Sequence, residues 1–192
     1  MRPSRITTAK AALLSALWIT ACSRASAPAP PLASTSEAQP AASTALHAGR
    51  PEQLSEEQMM PAAIGVVSAA NVLRIQAGLP PLTASGTLMG LALARAQGMT
   101  ASKYLGHEDP SGASPSAQEL LQATGFRGPV GELVYGSQRN LEGLAADAVR
   151  AWEASPANRE LLLSSKYRYA GVGIQGDGNW WKVSLLLAAS EP

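Results

Sequence analysis

The chain is 192 residues long, with 15 Lys and Arg against 14 Asp and Glu and a formal net charge of +1. That balance lacks the basic excess by which nucleic-acid binders hold phosphate, so no nucleic-acid partner is expected. A single cysteine excludes an internal disulfide, and any folded part must rely on its hydrophobic core.

Arg2, Arg5 and Lys10 precede an apolar stretch, Ala11 to Ala21, that is too short to cross a bilayer as a helix of about 20 residues. Residues 1–21 therefore read as a signal peptide. The run Leu17-Trp18-Ile19-Thr20-Ala21-Cys22-Ser23 resembles the lipobox of bacterial lipoproteins, in which a cysteine behind small residues is lipidated and becomes the new N-terminus. This resemblance implies that Cys22 carries lipid and ties an exported protein to a membrane of the cell envelope. Two or three acyl chains hold a protein firmly, each buried methylene adding about 0.8 kcal/mol. The alternative is a soluble secreted protein cut after Ala25-Ser26-Ala27.

From Ser23 to Met60 the chain is dominated by Ala, Pro, Ser and Thr, as in Ala27-Pro28-Ala29-Pro30-Pro31, with almost no large apolar residue to bury. Residues 22–60 are expected to be the lipidated cysteine and a disordered tether. Its 38 residues after the cysteine would span about 35 Å as a flexible coil. Residues 61–192 have the length of one ordinary domain. Within them ten basic residues face ten acidic ones, leaving no net charge.

Val66, Ala70, Leu73 and Ala77 recur at helical spacing before Gly78 and Pro80-Pro81 end the segment. Leu88, Ala92, Ala96 and Met99 predict a second helix with Ser85 as its cap. A short third helix is expected from Pro115 to Ala123, and a fourth from Leu141 to Ala154 with Leu144, Ala148, Val149 and Trp152 on its apolar face. A strand is expected around Gly131 to Tyr135. Two more, Tyr167–Ile174 and Trp180–Leu187, flank the hairpin signal Asp177-Gly178. Helices first and strands later imply an α+β fold with a small antiparallel sheet. The apolar run Val183 to Ala189 implies a strand covered on both faces, with helices flanking the sheet on two sides.

Asn71-x-x-Arg74-x-x-x-Gly78-Leu79-x-x-Leu82, Leu88-x-x-x-Ala92, Met99, Gly106-His107, Gly131-Glu132, Trp152-x-x-Ser155-Pro156-x-x-Arg159 and Ala170-Gly171-Val172-Gly173 follow one another in order. Together they resemble the CAP superfamily, also called SCP or PR-1-like, and most closely its short, exported bacterial branch. The resemblance spans Ala62 to Leu187 and implies a three-layer α-β-α sandwich. It also implies a polar cavity of two histidines and one or two acids. His107 matches the first histidine and Glu132 the glutamate, whereas Asn158 stands where the second histidine is usual, Ser155 falls at the second acidic position and Leu133 replaces an asparagine.

Each residue also has a structural reading. Ser155 is suited to cap a helix with Pro156 at its first position, and Asn158 to bond backbone near that cap. Glu132 could be a surface residue, and His107 a solvated residue of the polar loop Gly106-His107-Glu108-Asp109-Pro110. Trp180 and Trp181 point to opposite faces of a strand, so one belongs to the core and the other to a groove or the surface. Phe126 and Met99 are assigned to the core, and Tyr167 and Tyr169 to packing or a binding edge.

Two function classes follow. One is a non-catalytic binding or scaffold module for a lipid-like, cell-wall or protein ligand, held at the envelope. The other is a hydrolase using His107 and Glu132 as an acid/base pair. The first is preferred, because no motif supplies a nucleophile or an oxyanion site. No cofactor and no metal are expected: His107 is the domain's one imidazole, His47 lies in the tether, and a zinc site usually takes three protein ligands.

Overall fold

The computed structural model describes residues 54–178 and 180–192. The signal peptide, Cys22 and the tether as far as residue 53 lie outside the described residues.

Helix α1 spans Glu56–Gln76 and starts five residues before the boundary expected at Pro61. A capping box explains the earlier start: the Ser55 hydroxyl accepts from the Gln58 N–H at 3.3 Å, and the Gln58 side chain accepts from the Ser55 N–H at 2.9 Å. Pro61 inside the helix forgoes one backbone bond there, and Met59 of the added turn is buried. At the far end Gly78 adopts φ +74° and the Leu79 N–H returns to the Arg74 carbonyl at 2.8 Å, a glycine-terminated stop. Asn71 then fixes the following loop by exchanging bonds with the Leu82 backbone at 2.7 and 2.9 Å.

The remaining elements are β1 (Thr83–Ala84), α2 (Gly86–Ala101), α3 (Ala117–Ala123), β2 (Val130–Ser137), α4 (Leu144–Ala154), α5 (Pro156–Leu162), β3 (Tyr169–Gly176) and β4 (Trp181–Ala188). Ser85 caps α2 as expected, its side chain accepting from the Leu88 N–H. The four strands form one sheet in the order β1-β3-β4-β2. Pairings β2·β4 and β3·β4 are antiparallel, but β1 pairs with β3 in parallel. The sheet is therefore mixed rather than purely antiparallel, because two residues passing from α1 to α2 add a short edge strand that carries no periodic signal.

Every residue of β4 is buried, which accords with its unbroken apolar run. Trp181, Val183, Leu185 and Leu187 join α1 and α4 in the larger core, whereas Leu186 and Ala188 join Leu88 and Ala92 of α2 and Leu121 of α3 in the second. This gives three layers, with the sheet in the middle. The two glycines of Ala170-Gly171-Val172-Gly173 set the spacing of α2. A Cβ on Gly171 would run into the backbone of Leu88 and Met89, and one on Gly173 into that of Ala92 and Leu93. The motif is a seat for helix α2.

Candidate functional site

Strand β2 alternates between layers, so Leu133 enters the larger core while Glu132 turns toward α2. There its carboxylate meets Arg95, which lies on the apolar stripe of α2 and is completely buried. Arg95 Nε donates to Glu132 Oε1 at 2.9 Å and Nη2 contacts Oε2 at 3.4 Å. The buried Ser184 hydroxyl of β4 also donates to Oε1, at 2.8 Å. His107 Nδ1 lies 3.0 Å from Oε2 and is the donor, since a carboxylate oxygen only accepts.

The other Arg95 donors hold the loop that carries His107. Nη2 reaches the carbonyls of Gly106 at 3.0 Å and His107 at 2.9 Å, and Nη1 reaches the Pro115 carbonyl at 2.9 Å and the Tyr104 hydroxyl at 2.8 Å. Every guanidinium N–H thus has an acceptor. Burial pulls the Arg95 pKa down, but the hydrogen bond and charge of Glu132 and the contact with Tyr104 outweigh it, and the balance is upward. Beyond the ring, Asp109 closes the loop by accepting from the Ser111 N–H at 2.8 Å, the Ser111 hydroxyl at 2.7 Å and the Ser114 N–H at 2.9 Å. The hydroxyls of Ser102 and Ser111 hold the Asp109 carboxyl well below the usual carboxylate range.

His107 and Glu132 border a small cavity of about 200 Å³, with Ser116, Gln118, Leu121 and Gly131 in its walls. The imidazole is 58% exposed while the carboxylate is only 5% exposed, so the cavity presents a histidine edge backed by a buried charge pair. His107 is both a loop residue open to solvent and a partner of Glu132, which unites its two sequence readings.

Asn158 and Ser155 are not brought to this pair. Neither lines the cavity, and neither side chain makes a hydrogen bond among the described residues. Ser155 does occupy the N-cap position of α5 with Pro156 behind it, but without the side-chain bond expected of a cap. Of the four residues expected there, His107 and Glu132 are brought together, and the other partners of Glu132 are Arg95 and Ser184.

The family model of the cysteine-rich secretory protein family, CAP, matches residues 67–187. This chain belongs to the CAP family. Its CAP fold is shared with solved bacterial proteins. One is an outer surface protein of Borrelia burgdorferi, 19% identical with a TM-score of 0.58, covering 72% of this chain and 97% of that one. Another is an extracellular SCP-domain protein of Bacillus anthracis, 20% identical with a TM-score of 0.53, covering 69% of this chain and 43% of that one. The CAP domain of enterococcal PrgA is 16% identical with a TM-score of 0.53, covering 74% of this chain and 66% of that one. At these identities the likeness concerns the fold alone. No curated protein matches this sequence.

A two-histidine metal site does not fit this CAP domain. Among the described residues no three His, Cys, Asp or Glu side chains gather to hold a metal, and the carboxylate bonded to His107, that of Glu132, is already paired with a guanidinium that would repel a cation. Arg95 and Ser184 escaped the sequence reading. The available signal was position: Arg95 stands seven residues after Leu88 and three after Ala92, on the stripe that faces the sheet, where a cation requires a buried partner.

Proposed function

We propose that this CAP-family protein is an exported, envelope-anchored binding or scaffold module without catalysis of its own, taking a lipid-like, cell-wall or protein ligand. The observation that carries this reading is the saturation of Glu132. A general base needs an oxygen within hydrogen-bond reach of a substrate or water, but both oxygens here accept from Arg95, Ser184 and His107. Ser184 spends its hydroxyl proton on Glu132 and is fully buried, so it is no nucleophile. Export and anchoring rest on the apolar N-terminal run and Cys22, and the bacterial relatives of known structure described as outer-surface or extracellular lend export support.

Two measurements test it. In fractionated cells the wild type is expected in the membrane pool and Cys22→Ala in the soluble pool; equal distributions contradict anchoring. On p-nitrophenyl esters and glycosides, wild type and His107→Ala are expected to give the same background rate. Turnover lost in His107→Ala supports the hydrolase instead.

A further inference from the structure

On the β2 side of the β3–β4 hairpin lies a second cavity of about 600 Å³ that shares no residue with the His107 cavity. Its wall is Trp180, 40% exposed, with Leu105 beside it at 48%. Both lie against Gly136, where a Cβ would stand 2.7 Å from Leu105 Cδ2 and 3.2 Å from Trp180 Cε3. Glycine at 136 therefore lets the indole and Leu105 press onto the strand backbone. The Trp180 backbone is pinned as well: its N–H donates to Asp177 Oδ1 at 2.7 Å and its carbonyl accepts from the Asp177 N–H at 3.0 Å. Asp177 is braced in turn by the buried Lys182, whose ammonium also donates to the Met99 carbonyl at 2.9 Å.

The polar side of the cavity has a cation with no ion pair among the described residues. Lys182 is neutralised by Asp177 at 3.0 Å, whereas Lys103 lines the cavity without an ion pair among the described residues. Lys103 is also the one described non-glycine residue with a left-handed backbone, at φ 54°. It follows the end of α2 where glycine is the unstrained choice, so a lysine there is kept at a cost to stability. Gln138 adds an amide able to donate and to accept.

The geometry points to this cavity as a saccharide site for an acidic pyranoside, with the sugar's C–H face on the Trp180 indole, its carboxylate on Lys103 and its hydroxyls on Gln138. A pyranose offers one apolar face and a polar rim, and the negative face of an aromatic ring attracts the slightly positive C–H groups. The site rests on the reading of the domain as a binding module and assigns the ligand class and its location.

The test is a titration of the isotope-labelled full chain, followed by NMR, with methyl glucuronide, methyl glucoside as the neutral match and acetate as the charge alone. The indole N–H of Trp180 and the side-chain amide of Gln138 are expected to shift with the glucuronide, less with the glucoside and not with acetate. Trp180→Ala should weaken binding about tenfold. Lys103→Gly should remove the preference for the acid, a factor of about three, while raising Tm by about 3 °C. Shifts confined to His107 and its neighbours overturn the site while leaving the binding reading intact. No shift up to tens of millimolar, or Lys103→Gly retaining the acid preference, also overturns it. Consumption of the glycoside together with Trp180 shifts supports the site and overturns the non-catalytic reading.

Discussion

Arg74 of α1 and Arg95 of α2 are both completely buried, yet they serve different ends. Arg74 meets only neutral oxygens: the carbonyls of Pro80 at 3.1 Å, Leu162 at 2.9 Å, Ser164 at 2.8 Å and Tyr167 at 3.3 Å. It ties α1 to the end of α5 and the start of β3, and burial without a counter-ion lowers its pKa. Arg95 meets a carboxylate as well as carbonyls, and that carboxylate touches a cavity through His107. The first arginine is a strut within the fold, and the second sets the charge of a site. Burial alone does not distinguish them; the charge of the partner does.

Breaking the two residues should separate these roles. Arg95→Met leaves Glu132 buried and uncompensated and should cost about 3–5 kcal/mol in urea denaturation. It should also release the 106–116 loop, seen as lost amide protection there. Arg74→Met leaves carbonyls unpaired but no charge, so about 2–3 kcal/mol is expected, with the loop unaffected. Equal costs with equal loop effects would erase the distinction.

Acid provides a finer separation within the loop. The Asp109 carboxyl sits below its ordinary range in the folded state, so its contribution is fully present above the unfolded value of about 3.9 and is lost as pH falls through the folded one. Amide exchange at Ser111 and Ser114 should therefore quicken only below about pH 4, and Asp109→Asn should abolish that dependence. The smallest effect belongs to His107→Ala. With most of its ring in solvent, its removal should change stability by less than about 0.5 kcal/mol.

Much of the fold was legible because periodicity reports burial. The stripes of α2 and α4 and the unbroken run of β4 each became a buried face, the α1 stripe did so at Val66 and Ala70 but left Leu73 half-buried and Ala77 exposed beyond the helix end, and Trp181 with Trp180 divided into core and surface as alternation requires. β1 was not legible, since two residues carry no period, and neither was the start of α1, where composition concealed the Ser55 capping box. Of the site, His107 and Glu132 were legible through the family's motif. Arg95 was not, because a cation on an apolar stripe becomes meaningful only when the strand carrying its partner is placed opposite. Asn158 was expected in the cavity by the same motif, yet it sits on α5 and does not line the cavity, a placement that sequence position alone does not fix.

The central claim is that Glu132 is locked by Arg95. A double-mutant cycle of Arg95→Met and Glu132→Leu, read by urea denaturation, tests it most directly. The account predicts a coupling of at least about 2 kcal/mol, with the double variant more stable than Arg95→Met alone. Additivity within about 0.5 kcal/mol would contradict it, and would mean that Arg95 does not hold the carboxylate.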